Sequence, residues 1–143
     1  WEMQPEQLNE AFFGSSLVVF GGTAIVPRIH EHLTPLLKKA KAHGSITMIN
    51  TVYDFRSEKE NPGQRWPLGD IVETYAMIDV RICDREEALH LSGQDNTRAA
   101  LDFFIHQGTG SVIITNGAET IHAYSDGTFF QEQGKFAHFS PSP

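Results

Sequence analysis

The sequence predicts an α/β protein: a three-layer arrangement in which a mainly parallel sheet is flanked by helices and ends in an antiparallel hairpin section. Three observations carry this. Short apolar runs at 16–20, 45–50, 80–83 and 111–115 read as strands. Helical segments separate them, and strand–helix–strand succession implies right-handed crossovers and a parallel sheet. After the fourth run the pattern changes to two short segments around Asp126-Gly127, a strong hairpin signal.

Residues 4–13 read as a short helix with Leu8, Phe12 and Phe13 on one side. The run Ser16–Phe20 ends in Gly21-Gly22 and suits a strand buried on both faces. A helix is expected from about Pro27 to His43, since Ile29, Leu33, Leu36, Leu37 and Ala40 recur at helical spacing and Gly44 is a good stop. Pro35 interrupts it, so either the helix kinks there or Thr34 caps a restart with Pro35 in its first position. After the strand at 45–50 comes a polar stretch, 51–69, with Pro62, Gly63, Pro67 and Gly69, which reads as one long loop. Asp70 and Glu73 form a capping-box pattern for a helix to about Ile78, and Asp84 and Glu87 form another for a helix ending at Gly93. Asn96 caps the next helix, which buries Ala100, Leu101, Phe104 and Ile105 before Gly108. Residues 120–125 and 128–132 are the two hairpin strands.

The totals bound the function. A chain of 143 residues suits one domain with a real core, and a hydrophobic fraction of 40% is ordinary for a globular protein. Eighteen acidic against eleven basic side chains leave a formal net charge of −7, which argues against a nucleic-acid binder. No apolar run is long enough to span a membrane, and no basic-then-apolar leader is seen. The lone Cys83 excludes an internal disulfide and fits a reducing cytoplasm; in its apolar run it reads as a buried thiol. The start at Trp1 and the Ser140-Pro141-Ser142-Pro143 end suggest a cut at both ends.

Four features could do chemistry. Asp84-Arg85-Glu86-Glu87 lies where a strand opens into a helix, at the carboxyl edge where open α/β sheets bind ligands. Carboxylates there can hold Mg²⁺, yet Asp at N-cap with Glu at N3 is also a capping pattern that needs no ligand. Thr115-Asn116-Gly117 ends the fourth strand, where a hydroxyl and backbone N–H groups can approach a phosphate; many hairpins share that form. Asn50 through Arg56 place an amide, the carboxylate of Asp54 and a guanidinium at the same edge, for a phosphate or an acidic sugar, or else form a surface loop with a local Asp–Arg pair. Gly21-Gly22-Thr23 is a tight turn that lacks the full dinucleotide fingerprint. The seven histidines read as surface or helix-end residues, with no metal pair among them.

Taken in order, these features resemble the PfkB family of carbohydrate kinases, which includes ribokinase, fructokinase and ketodeoxygluconate kinase. Ile78–Leu89 is similar to the family's strand followed by Asn-x-x-Glu and a helix, with Asp84 in place of the Asn and Glu87 matching the Glu. Val112–Thr120 is similar to its Thr-x-Gly-x-x-Gly nucleotide turn, with Thr115 and Gly117 matching and Thr120 at the last Gly. Leu36–Gly44 and the strand after it resemble the helix before Asp-x-Asn-x-Arg, with Asn50, Asp54 and Arg56 in a looser arrangement. The resemblance implies a ribokinase-like fold of which residues 1–143 are the central part, without the N-terminal sugar-binding lid and the C-terminal Gly-Ala-Gly-Asp that carries the catalytic base.

It further implies ATP and Mg²⁺ as cofactors and a sugar as substrate. Asp84 and Glu87 would be at the metal, and Asp84, Thr115, Asn116 and Gly117 at the nucleotide phosphates. Asn50 and Arg56 would be weaker phosphate or substrate contacts. No catalytic residue falls within the chain, the whole protein would be a cytoplasmic sugar kinase with a homodimer contact through its lid, and the chain alone would be inactive. The alternative is a non-catalytic nucleotide- or sugar-binding regulatory domain of the same fold. A nucleotide-binding oxidoreductase is disfavoured by the incomplete glycine fingerprint.

Overall fold

The computed structural model describes residues 2–134. The readings on Trp1, His138 and Ser140–Pro143 fall outside them. Six strands form one sheet in sequence order: β1 (Leu17–Gly21), β2 (Ile46–Asn50), β3 (Val80–Asp84), β4 (Ser111–Thr115), β5 (Thr120–Ser125) and β6 (Thr128–Gln133). β1 to β4 are parallel, and β4–β5 and β5–β6 are antiparallel. The hairpin turn at Asp126-Gly127 has φ of 47° and 78°, the left-handed pair that a tight two-residue loop requires.

The helices are α1 (Glu10–Phe13), α2 (Pro27–Glu31), α3 (Leu33–Ala42), α4 (Phe55–Glu60), α5 (Ile71–Ala76), α6 (Arg85–Ser92) and α7 (Thr97–His106). The expected helix at 4–13 breaks into a single 3₁₀ turn, Pro5–Gln7, and α1, because Asn9 caps α1 by accepting the N–H of Phe12. The break near Pro35 falls at His32, and Pro35 becomes the third residue of α3, where no N–H partner is lost. Thr34 is therefore not a cap; its hydroxyl contacts Thr74 at 2.7 Å and accepts the N–H of Asp70. Asp70 caps α5 as expected, but Glu73 pairs with Lys38 at 2.7 Å.

The stretch 51–69 is not all loop. Asp54 accepts the N–H of Ser57 and starts α4. That excludes the Asp54–Arg56 pair: Arg56 binds Glu31 at 3.2 Å instead.

A sheet that always steps the same way through right-handed crossovers keeps those helices on one face. Burial follows that rule. Val18, Phe20, Thr47, Ile49, Arg81, Cys83, Val112 and Ile114 point into the core beneath the helices. There Leu33, Leu37, Leu101 and Phe104 are at most 1% exposed, each stabilising the fold by about 1.5–3 kcal/mol. On the opposite face Leu17, Val19 and Ile46 are 45–53% exposed. Met48, Val80, Ile82 and Ile113 continue that apolar face, half-buried. Two of the three expected layers thus lie among the described residues.

Candidate phosphate and metal site

Parallel pairing brings the carboxyl ends of β1 to β4 to one edge. Gly21 pairs with Asn50 and Asp84 with Thr115, each about 4.8 Å apart across neighbouring strands. By register, all four lie on the open side of the sheet. Asp84 and Asn50 are exposed, and Thr115 is half-buried.

Asp84 and Glu87 form the full capping box. Asp84 Oδ1 accepts the N–H of Glu87 at 2.8 Å, and Glu87 Oε2 accepts the N–H of Asp84 at 3.2 Å. Glu87 also does something that a cap does not need: Oε2 accepts the hydroxyl proton of Thr51, the residue after β2, at 2.9 Å. This ties the ends of β2 and β3 together. Glu87 is only 7% exposed, and burial pushes its carboxyl above the usual range, with the Asp84 charge adding to that. The bonds from Thr51 and from the Asp84 N–H work the other way.

Each carboxylate keeps one oxygen without a partner among the described residues. Two such oxygens at a helix N-terminus fit a hydrated Mg²⁺, which takes one or two carboxylates and fills its other positions with water and phosphate. They fit no fully protein-bound ion: among the described residues no group of three or more His, Cys, Asp or Glu is set for a metal.

The Thr115-Asn116-Gly117 turn is closed by the Glu119 N–H donating to the Asn116 carbonyl at 2.8 Å. Gly117 has φ of 51°, and nothing stands within 4 Å of where a Cβ would be. The glycine is needed for its backbone, and the space above it is open. The Asn116 amide donates to Glu119 Oε2 at 2.6 Å, so its side chain is engaged in the turn. Arg56, committed to Glu31, is not brought to the carboxylate pair by any bond, and Asn50 takes part through its carbonyl, which accepts the Gly22 N–H at 2.8 Å. Gly22 itself adopts φ of 60° in the tight turn expected there.

Several residues were not legible as partners. Thr51 lies in the segment singled out at this edge, yet only the fold shows its hydroxyl reaching Glu87. His30 sits in the last turn of α2, as a helix-end residue, and is half-buried. Its Nε2 can only donate to the Pro67 carbonyl (3.2 Å), which leaves Nδ1 to accept from the buried Thr23 hydroxyl (3.0 Å). Burial holds its pKa below the ordinary value. His90 stacks on Trp66 at 4.1 Å, and His122 has a buried Nδ1 without a partner among the described residues. Cys83 is buried as expected, and burial pushes its thiol to about 11. Arg81 has no exposed surface; its guanidinium lies over the rings of Phe104 (4.1 Å) and Tyr75 (5.1 Å), and Nε, Nη1 and Nη2 find no hydrogen-bond partner among the described residues.

No protein-family model matches the sequence, and no curated protein matches it. Solved structures do. A PfkB protein from Polaromonas sp. JS666 superposes with a TM-score of 0.70 at 15% identity, over 93% of this chain and 45% of that one. The adenosine kinase of Sinorhizobium meliloti gives 0.66 at 19%, over 96% and 41%. The ATP-bound fructokinase of Xylella fastidiosa gives 0.64 at 17%, over 90% and 42%. The chain spans less than half the length of these structures, and what it shares with them is the architecture of the PfkB/ribokinase kinases: a mixed six-stranded α/β sheet of that fold.

Proposed function

We propose that residues 1–143 are the central part of a ribokinase-like domain, and that the whole protein transfers the γ-phosphate of ATP to a sugar hydroxyl. The observation that carries this reading is the bridge at Glu87. A buried carboxylate with a raised pKa joins Asp84, Thr51 and the α6 N-terminus at the edge where this fold binds its ligands. Kinases of this architecture include an E. coli protein assigned as ribokinase II, solved in complex with ATP and Mg²⁺, and an aminoimidazole riboside kinase from Salmonella enterica solved with its riboside and an ATP analogue. The open apolar face of the sheet supports the domain reading, since parallel sheets occur with both faces covered.

In this chain Asp84 and Glu87 would hold Mg²⁺ through their free oxygens, with the ion supplying charge neutralisation when bound. The Thr115 hydroxyl and the backbone N–H groups around Gly117 would orient phosphate oxygens. Asn116 contributes through its main chain, its amide being held by Glu119. Asn50 and Arg56 are candidates for substrate phosphate, Arg56 only after leaving Glu31. The base lies outside the chain, so the chain alone is inactive.

A second reading, a non-catalytic nucleotide- or sugar-binding domain, is favoured by one observation: the bonds among Asp84, Glu87 and Thr51 already serve as a helix cap and a tie between strand ends. Among the described residues no helix is long and apolar enough to cross a membrane. A cytoplasmic location, with sugar and ATP as ligands and a homodimer of the full-length protein, belongs to the same proposal.

Calorimetric titration tests it. ATP should bind more tightly with Mg²⁺ than without, NAD should not bind, and no sugar should be phosphorylated by residues 1–143 alone. Equal affinity for ATP and NAD, or Mg²⁺-independent binding, would refute the kinase reading.

A further inference from the structure

Two protons converge on one oxygen of Glu87. Oε2 accepts the Thr51 hydroxyl at 2.9 Å and the Asp84 N–H at 3.2 Å. A carboxylate oxygen has about two lone-pair sites, so Oε2 is filled and Oε1 alone is left for a cation. Asp84 is divided in the same way: Oδ1 accepts the Glu87 N–H at 2.8 Å, and Oδ2 has no partner among the described residues. The capping box accounts for the two backbone bonds. It does not account for Thr51, which comes from another strand, 36 positions away.

Thr51 is well placed to hold that oxygen. It is buried, it follows β2, and its N–H donates to the Ile82 carbonyl of β3 at 3.1 Å. The hydroxyl is therefore carried on main chain that the β2–β3 pairing already fixes. Of the two bonds to Oε2 it makes the shorter, and without it only the 3.2 Å backbone bond would remain. Divalent cations differ in what they ask of a carboxylate. Mg²⁺ demands a near-ideal octahedron at about 2.0–2.1 Å, keeps several waters, and is bound through one or two carboxylates. Ca²⁺ takes about six to eight oxygens at about 2.3–2.6 Å and readily uses both oxygens of one carboxylate.

We propose that Thr51 sets the ion preference of this site: by filling Oε2 it confines Glu87 to one oxygen and so favours Mg²⁺ over Ca²⁺. The site then offers an ion one free oxygen from Glu87 and one from Asp84, and leaves the other positions to water and phosphate. That suits Mg²⁺ and denies Ca²⁺ the second oxygen of Glu87. Thr51 acts through Glu87 and is a positioning residue. The inference rests on the reading of Asp84 and Glu87 as the Mg²⁺ carboxylates, and adds to it the residue that decides which ion they hold.

Calorimetric titration of ATP into residues 1–143, in saturating Mg²⁺ and again in saturating Ca²⁺, tests it. The native chain should bind ATP at least about tenfold more tightly with Mg²⁺. Thr51→Val removes the hydroxyl at nearly constant shape. Losing a partner behind a metal ligand typically costs about 10–100-fold in affinity. Binding with Mg²⁺ should therefore weaken by at least about tenfold, while binding with Ca²⁺ holds or tightens. Thr51→Ser keeps the hydroxyl and should keep the native ratio. A tie between strands and nothing more would lower the Tm of Thr51→Val and leave the ratio of the two affinities where it was; that result would overturn the inference. So would a native chain that binds ATP equally with either ion, a result that needs no variant to fold. A Mg²⁺ preference that survives in Thr51→Val sinks this inference alone; no ATP binding with either ion sinks the kinase reading, and this one with it.

Discussion

Two substitutions at Glu87 separate the two roles that meet on it. Oε2 accepts from Thr51 and from the Asp84 N–H. Glu87→Ala removes both bonds. The lost cap bond costs about 1 kcal/mol, and the stranded, buried Thr51 hydroxyl costs about 1–3 kcal/mol. The sum, roughly 2–4 kcal/mol, should lower the Tm of a chain of this size by roughly 6–15 °C.

Glu87→Gln keeps a carbonyl oxygen in place and so keeps both bonds. Its pH behaviour has a definite sign. The folded-state pKa of Glu87 is raised, so the stability it contributes is full below the ordinary value of 4.5 and is lost as pH rises through the raised value. Above that window the ionised carboxylate is a net cost, which Gln does not carry. At pH 7 Glu87→Gln should therefore melt at or slightly above the native temperature, and the fall in stability above pH 4.5 should shrink. Calorimetric titration with Mg²⁺ and ATP should show at least about tenfold weaker binding, which is about 1.4 kcal/mol. A Gln variant that binds as tightly as the native chain refutes the metal role and leaves a cap. A Gln variant that melts as low as the Ala variant refutes the hydrogen-bond reasoning.

Arg81→Met should leave Tm unchanged or raise it by a few degrees in thermal denaturation. It removes a buried charge with no hydrogen-bond partner among the described residues, a gain of about 1–4 kcal/mol, against a loss of about 2 kcal/mol from the ring contacts; a Tm lowered by more than about 5 °C would refute this. The pKa of His30 is depressed by burial, so stability should fall as pH drops through 6.5, and His30→Asn should flatten that slope in urea titrations between pH 7 and 5. A slope unchanged in His30→Asn would count against it. Cys83, with a thiol near 11 and 2% exposure, should react with a thiol reagent at pH 8 only on unfolding. Gly69 has φ of 59°, and a Cβ there would stand 2.7 Å from the Thr34 hydroxyl. Gly69→Ala should therefore destabilise by about 1–3 kcal/mol in urea denaturation.

The sheet was legible because period and punctuation agreed. Leu17–Gly21, Ile46–Asn50, Val80–Asp84 and Ser111–Thr115 each stand within one residue of the expected strand, bounded by glycine or a capping carboxylate. α4 was not legible because its six residues carry no apolar stripe, and one Asp54 cap in a Pro- and Gly-rich stretch was outweighed. The split at His32 was misplaced because a proline in a first turn costs nothing, so Pro35 marked the neighbourhood and not the break. At the site, Asp84 and Glu87 were readable from their spacing on one helix. Thr51 lies 36 positions from Glu87, and such long-range pairs leave no periodic trace. Arg81 shows the limit most plainly, as a charged residue in an apolar strand pattern that the fold buries with no hydrogen-bond partner among the described residues.

The sheet's spatial order has a temporal meaning. Among the described residues each strand bonds only to its neighbours in sequence order. During synthesis every new strand meets a finished neighbour, with no wait for distant sequence, which keeps loop-closure entropy low. From β1 onward the nascent sheet grows towards β6. Chains released early would therefore be shorter sheets of the same register, missing strands from the β6 side.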